Sequence, residues 1–373
     1  MSSLLVERVR AGHELDVGRL GAFLEQHIPA LTLPLTLKQF SVGQSNPTYL
    51  VTDQAGQRYV LRKKPAGQLL SKTAHAVERE FRVLQALGQH TQVPVPRVYA
   101  LCEDVRVVGT PFYLMEFLEG RILPDVRLPE ISAGERRQYW AALVDVLACL
   151  HKVDYRRVGL EGFGKEGGYY DRQVQSLTRI SEAQAVAIGS GSSGRLPGLE
   201  RLLRWLEESG CSDETTVVHG DFKMDNVVWH PTEIRIIGIL DWELSTLGNP
   251  RSDLANMLQP LLVPYRATGG LAVFAGLKGA PLAECAPSEQ WLLARYCEVM
   301  GRPHFPPLLG GWEYAKVFAL FRNAVIQQGI AARVAKGQAS SAFAKEVGEM
   351  FPNTMQMAMN IIDGLDGGIK SKL

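Results

Sequence analysis

The chain has 373 residues, 46% hydrophobic and 21% charged, the make-up of a globular protein with a sizeable core rather than a disordered chain. Forty Lys and Arg against thirty-nine Asp and Glu leave a formal charge of +1, which argues against a general polyanion binder and so against a nucleic-acid partner. Apolar runs stop short of the ~20 residues that span a bilayer, and Glu7, Arg8 and Arg10 stand where a secretion signal needs an apolar run.

A cytoplasmic protein without membrane partners is therefore expected. Its five cysteines are widely spaced with no CxxC pair, which fits reduced thiols. The eight histidines form no HxxxH or HExxH arrangement, so a zinc site is not expected.

In chain order, residues 35–42, 48–52 and 57–62 are rich in β-formers and bounded by turn residues, and they predict a three-stranded meander. Residues 74–87 predict a helix, with Val77, Phe81 and Leu84 at the helical interval. A second strand pair is expected near 97–101 and 112–115. Beyond about residue 130 the pattern turns helical, at 136–150, 199–208, 290–299, 313–334 and 342–362. A β-rich island at 216–241 interrupts it. The fold class expected is α+β and bilobal, with a small β-rich lobe at 1–118 and a large α-helical lobe at 119–373.

The island carries the chemistry. It reads Val217-Val-His-Gly-Asp-Phe-Lys-Met-Asp-Asn-Val-Val-Trp229, then a turn, then Ile234-Arg-Ile-Ile-Gly-Ile-Leu-Asp-Trp-Glu243. Asp221 and Asn226 sit on a polar loop between two β-runs, and Asp241 ends the second run. Oxygen-bearing side chains of this kind suit Mg²⁺, which is held by one or two carboxylates together with phosphates. They also suit phosphoryl transfer. One Asp, Asp221, orients an attacking hydroxyl, Asn226 and Asp241 hold the metal, and Lys223 meets the γ-phosphate.

The stretch His219-Gly-Asp-Phe-Lys-Met-Asp-Asn226 followed by Asp241-Trp-Glu243 resembles the catalytic loop and metal-binding triplet of protein kinases. Gly after His, with Asp-Trp-Glu, resembles the branch of aminoglycoside phosphotransferases and choline kinases. That resemblance implies ATP and Mg²⁺ as cofactors and a small-molecule hydroxyl as acceptor. Asp253 comes only twelve residues after Asp241, which leaves no room for a peptide-binding activation segment.

The same resemblance assigns further residues. Gly43, Ser45 and Asn46, in Gly43-Gln-Ser-Asn46, are candidates for a loop covering the phosphates. In Tyr59-Val-Leu-Arg62, Arg62 takes the slot of the kinase phosphate-binding Lys, on the face shared with Val60. Arg binds phosphate bidentately, and neighbouring Lys63 or Lys64 stays open as the alternative. Glu80 is the expected acidic partner, because it borders the apolar stripe whereas Glu78 points away. Met115-Glu-Phe-Leu118 resembles a kinase hinge, with the Glu116 C=O and the Leu118 N–H facing adenine. Asp253, in Pro250-Arg-Ser-Asp-Leu-Ala255, resembles the buried Asp that holds the catalytic loop's backbone, and His219 is read as structural.

Five segments resemble, more narrowly, the kinase domain fused to certain acyl-CoA dehydrogenases. They are Tyr59-Val-Leu-Arg-Lys-Lys-Pro65, Val218-His-Gly-Asp-Phe-Lys-Met-Asp-Asn226, Leu240-Asp-Trp-Glu-Leu-Ser-Thr-Leu-Gly248, Phe321-Arg-Asn-Ala-Val-Ile-Gln-Gln-Gly329 and Gly337-Gln-Ala-Ser-Ser341. This implies a 4-hydroxyacyl-CoA or related hydroxy acid as acceptor. Residues 254–373 hold eleven Lys and Arg against eight Asp and Glu, a balance of +3 that suits an anionic acceptor better than a polycation. An aminoglycoside or amino-alcohol kinase is the alternative among enzymes. A non-catalytic kinase-like nucleotide-binding protein is the alternative outside them, favoured only by Arg62.

Overall fold

The computed structural model describes residues 6–40, 46–65, 76–189, 194–265, 276–280, 287–302, 311–338 and 343–370, with side chains to 365. Gly43 and Ser45 lie outside the described residues.

The elements begin with β1 (Val6–Glu7), α1 (Val17–His27), β2 (Thr36–Phe40), β3 (Thr48–Thr52), β4 (Arg58–Lys63), α2 (Val77–His90), β5 (Val98–Cys102), α3 (Val105–Val108) and β6 (Phe112–Glu116). They continue with α4 (Ala133–His151), α5 (Tyr169–Ile188), α6 (Leu199–Ser209), β7 (Thr216–Val218), β8 (Val227–Trp229), β9 (Ile236–Ile239) and β10 (Thr246–Gly248). Last come α7 (Pro250–Leu258), α8 (Glu289–Val299), α9 (Trp312–Ala335), α10 (Ala344–Gly348) and α11 (Phe351–Lys370). The fold class is α+β, with an antiparallel N-terminal sheet and a helical C-terminal region.

The chain divides into two compact units. One comprises Met1–Leu123, Val153–Phe163 and Asp225–Ser245, the other Pro124–Lys152, Gly164–Met224 and Thr246–Leu373. The first holds a six-stranded sheet in the order β1-β2-β3-β4-β6-β5. Its ladders are all antiparallel. β4 lies inside the sheet, and alternation sorts its side chains. Tyr59 and Leu61 join Leu20, Leu24, Phe112 and Leu114 in a core formed with α1. Val60 and Arg62 therefore take the other face. Lys63 falls on the α1 side, where its ammonium donates to the Val108 carbonyl at 2.9 Å.

α2 buries Val77, Glu80, Val83, Leu84 and Leu87, so a carboxylate occupies its apolar stripe. Phe81 sits at the stripe's edge, its ring against Tyr113. The island 216–241 does not form one sheet. β8 pairs with β9 as a hairpin in the first unit, and β7 pairs with β10 in the second.

In the second unit α9 is the central helix, packed by α5, α7, α10 and α11. It is apolar nearly all round, as a helix enclosed by others must be. Segment 342–362, expected as one helix, is two. Pro352 falls in the first turn of α11, where its missing N–H costs nothing. Among the described residues, no helix is long and apolar enough to cross a membrane.

Candidate active site

In the first unit the chemistry gathers around Arg62. Its Nε lies 3.0 Å from Glu80, and one terminal nitrogen lies 2.7 Å from Asp241 and 3.3 Å from Glu243. Glu80 is 1% exposed. It also accepts from the Asn46 amide at 2.9 Å and the Tyr113 hydroxyl at 3.1 Å. Burial pushes the Glu80 carboxyl up, to about 7, and Arg62 pulls it the other way. Burial works against the Arg62 guanidinium too, but Glu80, Tyr113 and Asp241 outweigh it and raise its pKa. Glu78 instead pairs with Lys64 at 2.6 Å. The structure thus brings Arg62, Glu80, Asn46 and Asp241 together, with the Asn46 amide spent on fixing Glu80.

A cavity of about 490 Å³ opens beside this cluster, lined by Val60, Arg62, Met115, Leu118, Asn226 and Asp241, among others. Glu116 closes β6, where its N–H donates to the Arg97 carbonyl at 2.8 Å and its carboxylate accepts from the Arg97 N–H at 3.1 Å. Glu116 and Leu118 both line the cavity. Its wall near Gly120 is tight. A Cβ there would run into the Trp229 carbonyl and the Val228 side chain. Arg121 pairs backbone to backbone with Trp229, both bonds 2.8 Å, which sets β8 and so Asn226.

Asp241 is held in an unusual shape. Its φ is +65°, a left-handed conformation that is costly for a residue with a Cβ. The Leu240 N–H donates to the Asn226 carbonyl at 2.8 Å, and the Trp242 indole donates to the Ile239 carbonyl at 2.9 Å. Asn226 and Asp241 both line one cavity. Among the described residues no cluster of three or more His, Cys, Asp or Glu could cage a metal. One carboxylate and one amide oxygen fit Mg²⁺, which takes its remaining ligands from water and phosphate, better than a zinc-like ion.

In the second unit the loop after β7 is clamped from below. Asp253, fully buried, accepts from the His219 N–H at 2.6 Å and the Gly220 N–H at 2.8 Å. It also meets His151 Nε2 at 3.4 Å, and His151 Nδ1 bonds the Tyr296 hydroxyl at 2.7 Å. Burial would push Asp253 up, but His151 and His219 hold it below the ordinary carboxylate value. Asn249, not Asp253, caps α7. Gly220 has φ +86°, which glycine adopts without cost. The His219 Nδ1 accepts from the Asp221 N–H at 3.1 Å, so a structural task occupies that nitrogen.

The Asp221 carboxylate is 29% exposed. Lys223 Nζ lies 3.4 Å from one oxygen, and the Asn256 amide reaches the other at 3.5 Å and the Phe222 carbonyl at 3.2 Å. Arg322 of α9 donates to the Gly220 carbonyl. Asn256, Arg322 and Glu243 contact these groups, and the motif reading assigns none of them a role. Glu243 has a signal in the sequence as part of Asp241-Trp-Glu243, and Asn256 stands three residues after Asp253 on one helix face.

A family model described as the phosphotransferase enzyme family matches residues 36–287. The chain is similar to the Arabidopsis thaliana protein named "Probable acyl-CoA dehydrogenase IBR3", 39% identical, covering 98% of this chain and 44% of that protein. It is 36% identical to human "Acyl-CoA dehydrogenase family member 11", covering 92% of this chain and 42% of that one. The chain therefore spans less than half the length of these curated relatives. A solved Ralstonia eutropha structure, described as that of "a putative aminoglycoside phosphotransferase", shares 38% identity at a TM-score of 0.80, covering 94% of this chain and 99% of its own. A macrolide 2'-phosphotransferase from Brachybacterium faecium shares the fold alone, at 18% identity and a TM-score of 0.54, with 90% and 97% covered.

Proposed function

The chain belongs to the phosphotransferase enzyme family, and from that premise we propose an ATP- and Mg²⁺-dependent small-molecule kinase whose acceptor is the hydroxyl of a 4-hydroxyacyl-CoA or related hydroxy acid. Residues 1–118 serve as the nucleotide lobe and 119–373 as the catalytic and acceptor lobe. One observation carries the phosphotransfer reading. A partly exposed Asp221 sits on a loop whose backbone is fixed by buried Asp253, with Lys223 beside it. A general base needs that combination of access and rigidity.

In this reading the acceptor's hydroxyl oxygen attacks the γ-phosphorus while the bond to the β–γ bridging oxygen breaks. Asp221 orients the hydroxyl and takes its proton, and Lys223 offsets charge on the transferred group. Arg62, set by Glu80, meets the phosphates as a bidentate donor. Asn46 fixes Glu80, and Gly43 and Ser45 cover the phosphates. The Glu116 C=O and Leu118 N–H face adenine in the apolar cavity. Asn226 and Asp241 would hold Mg²⁺, which when bound would neutralise phosphate charge.

Support for the acceptor comes from the acyl-CoA dehydrogenase names of the two curated relatives and from the basic balance of residues 254–373. The test is ADP release with mass detection of product, comparing hydroxyacyl-CoAs, free hydroxy acids, kanamycin and choline. Hydroxyacyl-CoA should be the best acceptor. Kanamycin or choline as the clearly better one overturns the acceptor reading and leaves phosphotransfer standing.

A further inference from the structure

Helix α9 is enclosed along most of its length. Between Tyr314 and Ile330, only Arg322, Asn323, Ile326 and Ile330 are not buried. Arg322, Ile326 and Ile330 follow at intervals of four, so they form one stripe. At 1.5 Å per residue the two isoleucines stand about 6 and 12 Å along the axis from Arg322. Ile326 is 45% exposed.

The stripe begins at the catalytic loop, because Arg322 donates to the carbonyl of Gly220, the residue before Asp221. Two other arginines of this unit meet acids, Arg295 with Asp145 and Arg251 with Glu214, whereas Arg136 and Arg172 bond backbone carbonyls. Arg322 meets no carboxylate among the described residues. A guanidinium carries five N–H donors in a rigid fork. A bond to one neutral carbonyl leaves further donors of that fork, and its charge, for a ligand. Half-buried beside the loop that carries Asp221, this cation suits an anionic or strongly polarised oxygen. Asn323 does not compete for it, since its amide donates to Gln259.

We propose that Arg322 is an acceptor-binding residue, taking the acyl oxygen of a hydroxy acid or its thioester, and that Ile326 and Ile330 carry the acceptor's aliphatic carbons. This rests on the kinase reading above and deepens it. It places a hydroxyl at Asp221, an acyl oxygen at Arg322 and hydrocarbon beyond. A polyhydroxylated polycation fits none of the last two positions.

The test uses the full chain and measures KM and kcat with ATP for short- and long-chain 4-hydroxy acids, their CoA thioesters, and secondary alcohols lacking the acyl group. Arg322→Met should raise KM for the acyl acceptors roughly 10- to 100-fold, leave KM for ATP and for the plain alcohols unchanged, and be partly rescued by Arg322→Lys. A penalty on the free acids alone assigns the carboxylate, and one on acids and thioesters alike assigns the acyl carbonyl. Ile326→Ser should raise KM for long chains and not for short ones. An equal kcat loss on acyl and plain acceptors means that Arg322 only props Gly220 and overturns the assignment. Absence of any chain-length effect overturns the aliphatic half. Wild-type enzyme inert to every hydroxyacyl acceptor but active on kanamycin or choline overturns the acceptor reading, a result distinct from both.

Discussion

Arg62 holds Glu80, Asp241 and Glu243 on one guanidinium, so removing it leaves carboxylates facing one another. Breaking a buried pair by deleting one partner costs about 3–5 kcal/mol. Arg62→Ala should therefore lower Tm, raise the KM for ATP and lower kcat. Lys63→Ala should leave the KM for ATP unchanged, because Lys63 points to the α1 side and ends on the Val108 carbonyl. Steady-state kinetics on the two variants checks this, and the reverse ranking would give the phosphate-binding role to Lys63. Asp253→Asn should lower kcat with nucleotide affinity retained and destabilise the chain by about 1–3 kcal/mol. An amide can no longer accept from both the His219 and Gly220 N–H groups as a charged acceptor. Glu80 was legible in the sequence because a helical wheel separates it from Glu78. Arg322 was not, since nothing in a sequence says that α9 will run past the loop at Gly220.

β4 shows how far strand alternation reaches. The same period that buries Tyr59 and Leu61 against α1 turns Arg62 to the cavity, and both faces could be read from Tyr59-Val-Leu-Arg62. The meander was legible from β-formers bounded by turn residues, and the second strand pair and helix α4 were also expected near where they lie. α5 was not. Of its 20 residues only Tyr169, Tyr170, Leu177 and Ser181 are buried, so few positions announce a core face. Nor was the division of residues 216–241 between two sheets, because β7 pairs with β10, which lies beyond the β8–β9 hairpin in the chain. Gly120 supplies the test at this scale. Its Cβ position is occupied by the Trp229 carbonyl and Val228. Gly120→Ala should cost roughly 1–3 kcal/mol, read as a lower Tm, and should weaken ATP binding by disturbing β8 and Asn226. An unchanged Tm would show that this wall yields freely.

At the scale of the whole molecule, two buried carboxylates bound the stability curve in pH. Asp253 is held below its ordinary value, so its contribution is present above the ordinary carboxylate range and is lost as pH falls. Glu80 is pushed up to about 7, so its contribution is present below the ordinary range and is lost as pH rises toward 7. The Tm of the wild type minus that of Glu80→Gln should therefore decline from about pH 4.5 to 7. A difference that grows over that window would contradict the assignment. The account as a whole turns on Asp221. The most direct measurement sets its substitution Asp221→Asn beside the wild type, with Mg²⁺-ATP affinity from calorimetry and turnover from ADP release with the best acceptor. Nucleotide affinity should hold while kcat falls roughly 10²- to 10⁴-fold; a variant that binds ATP and turns over at a near-normal rate would contradict phosphotransfer through Asp221.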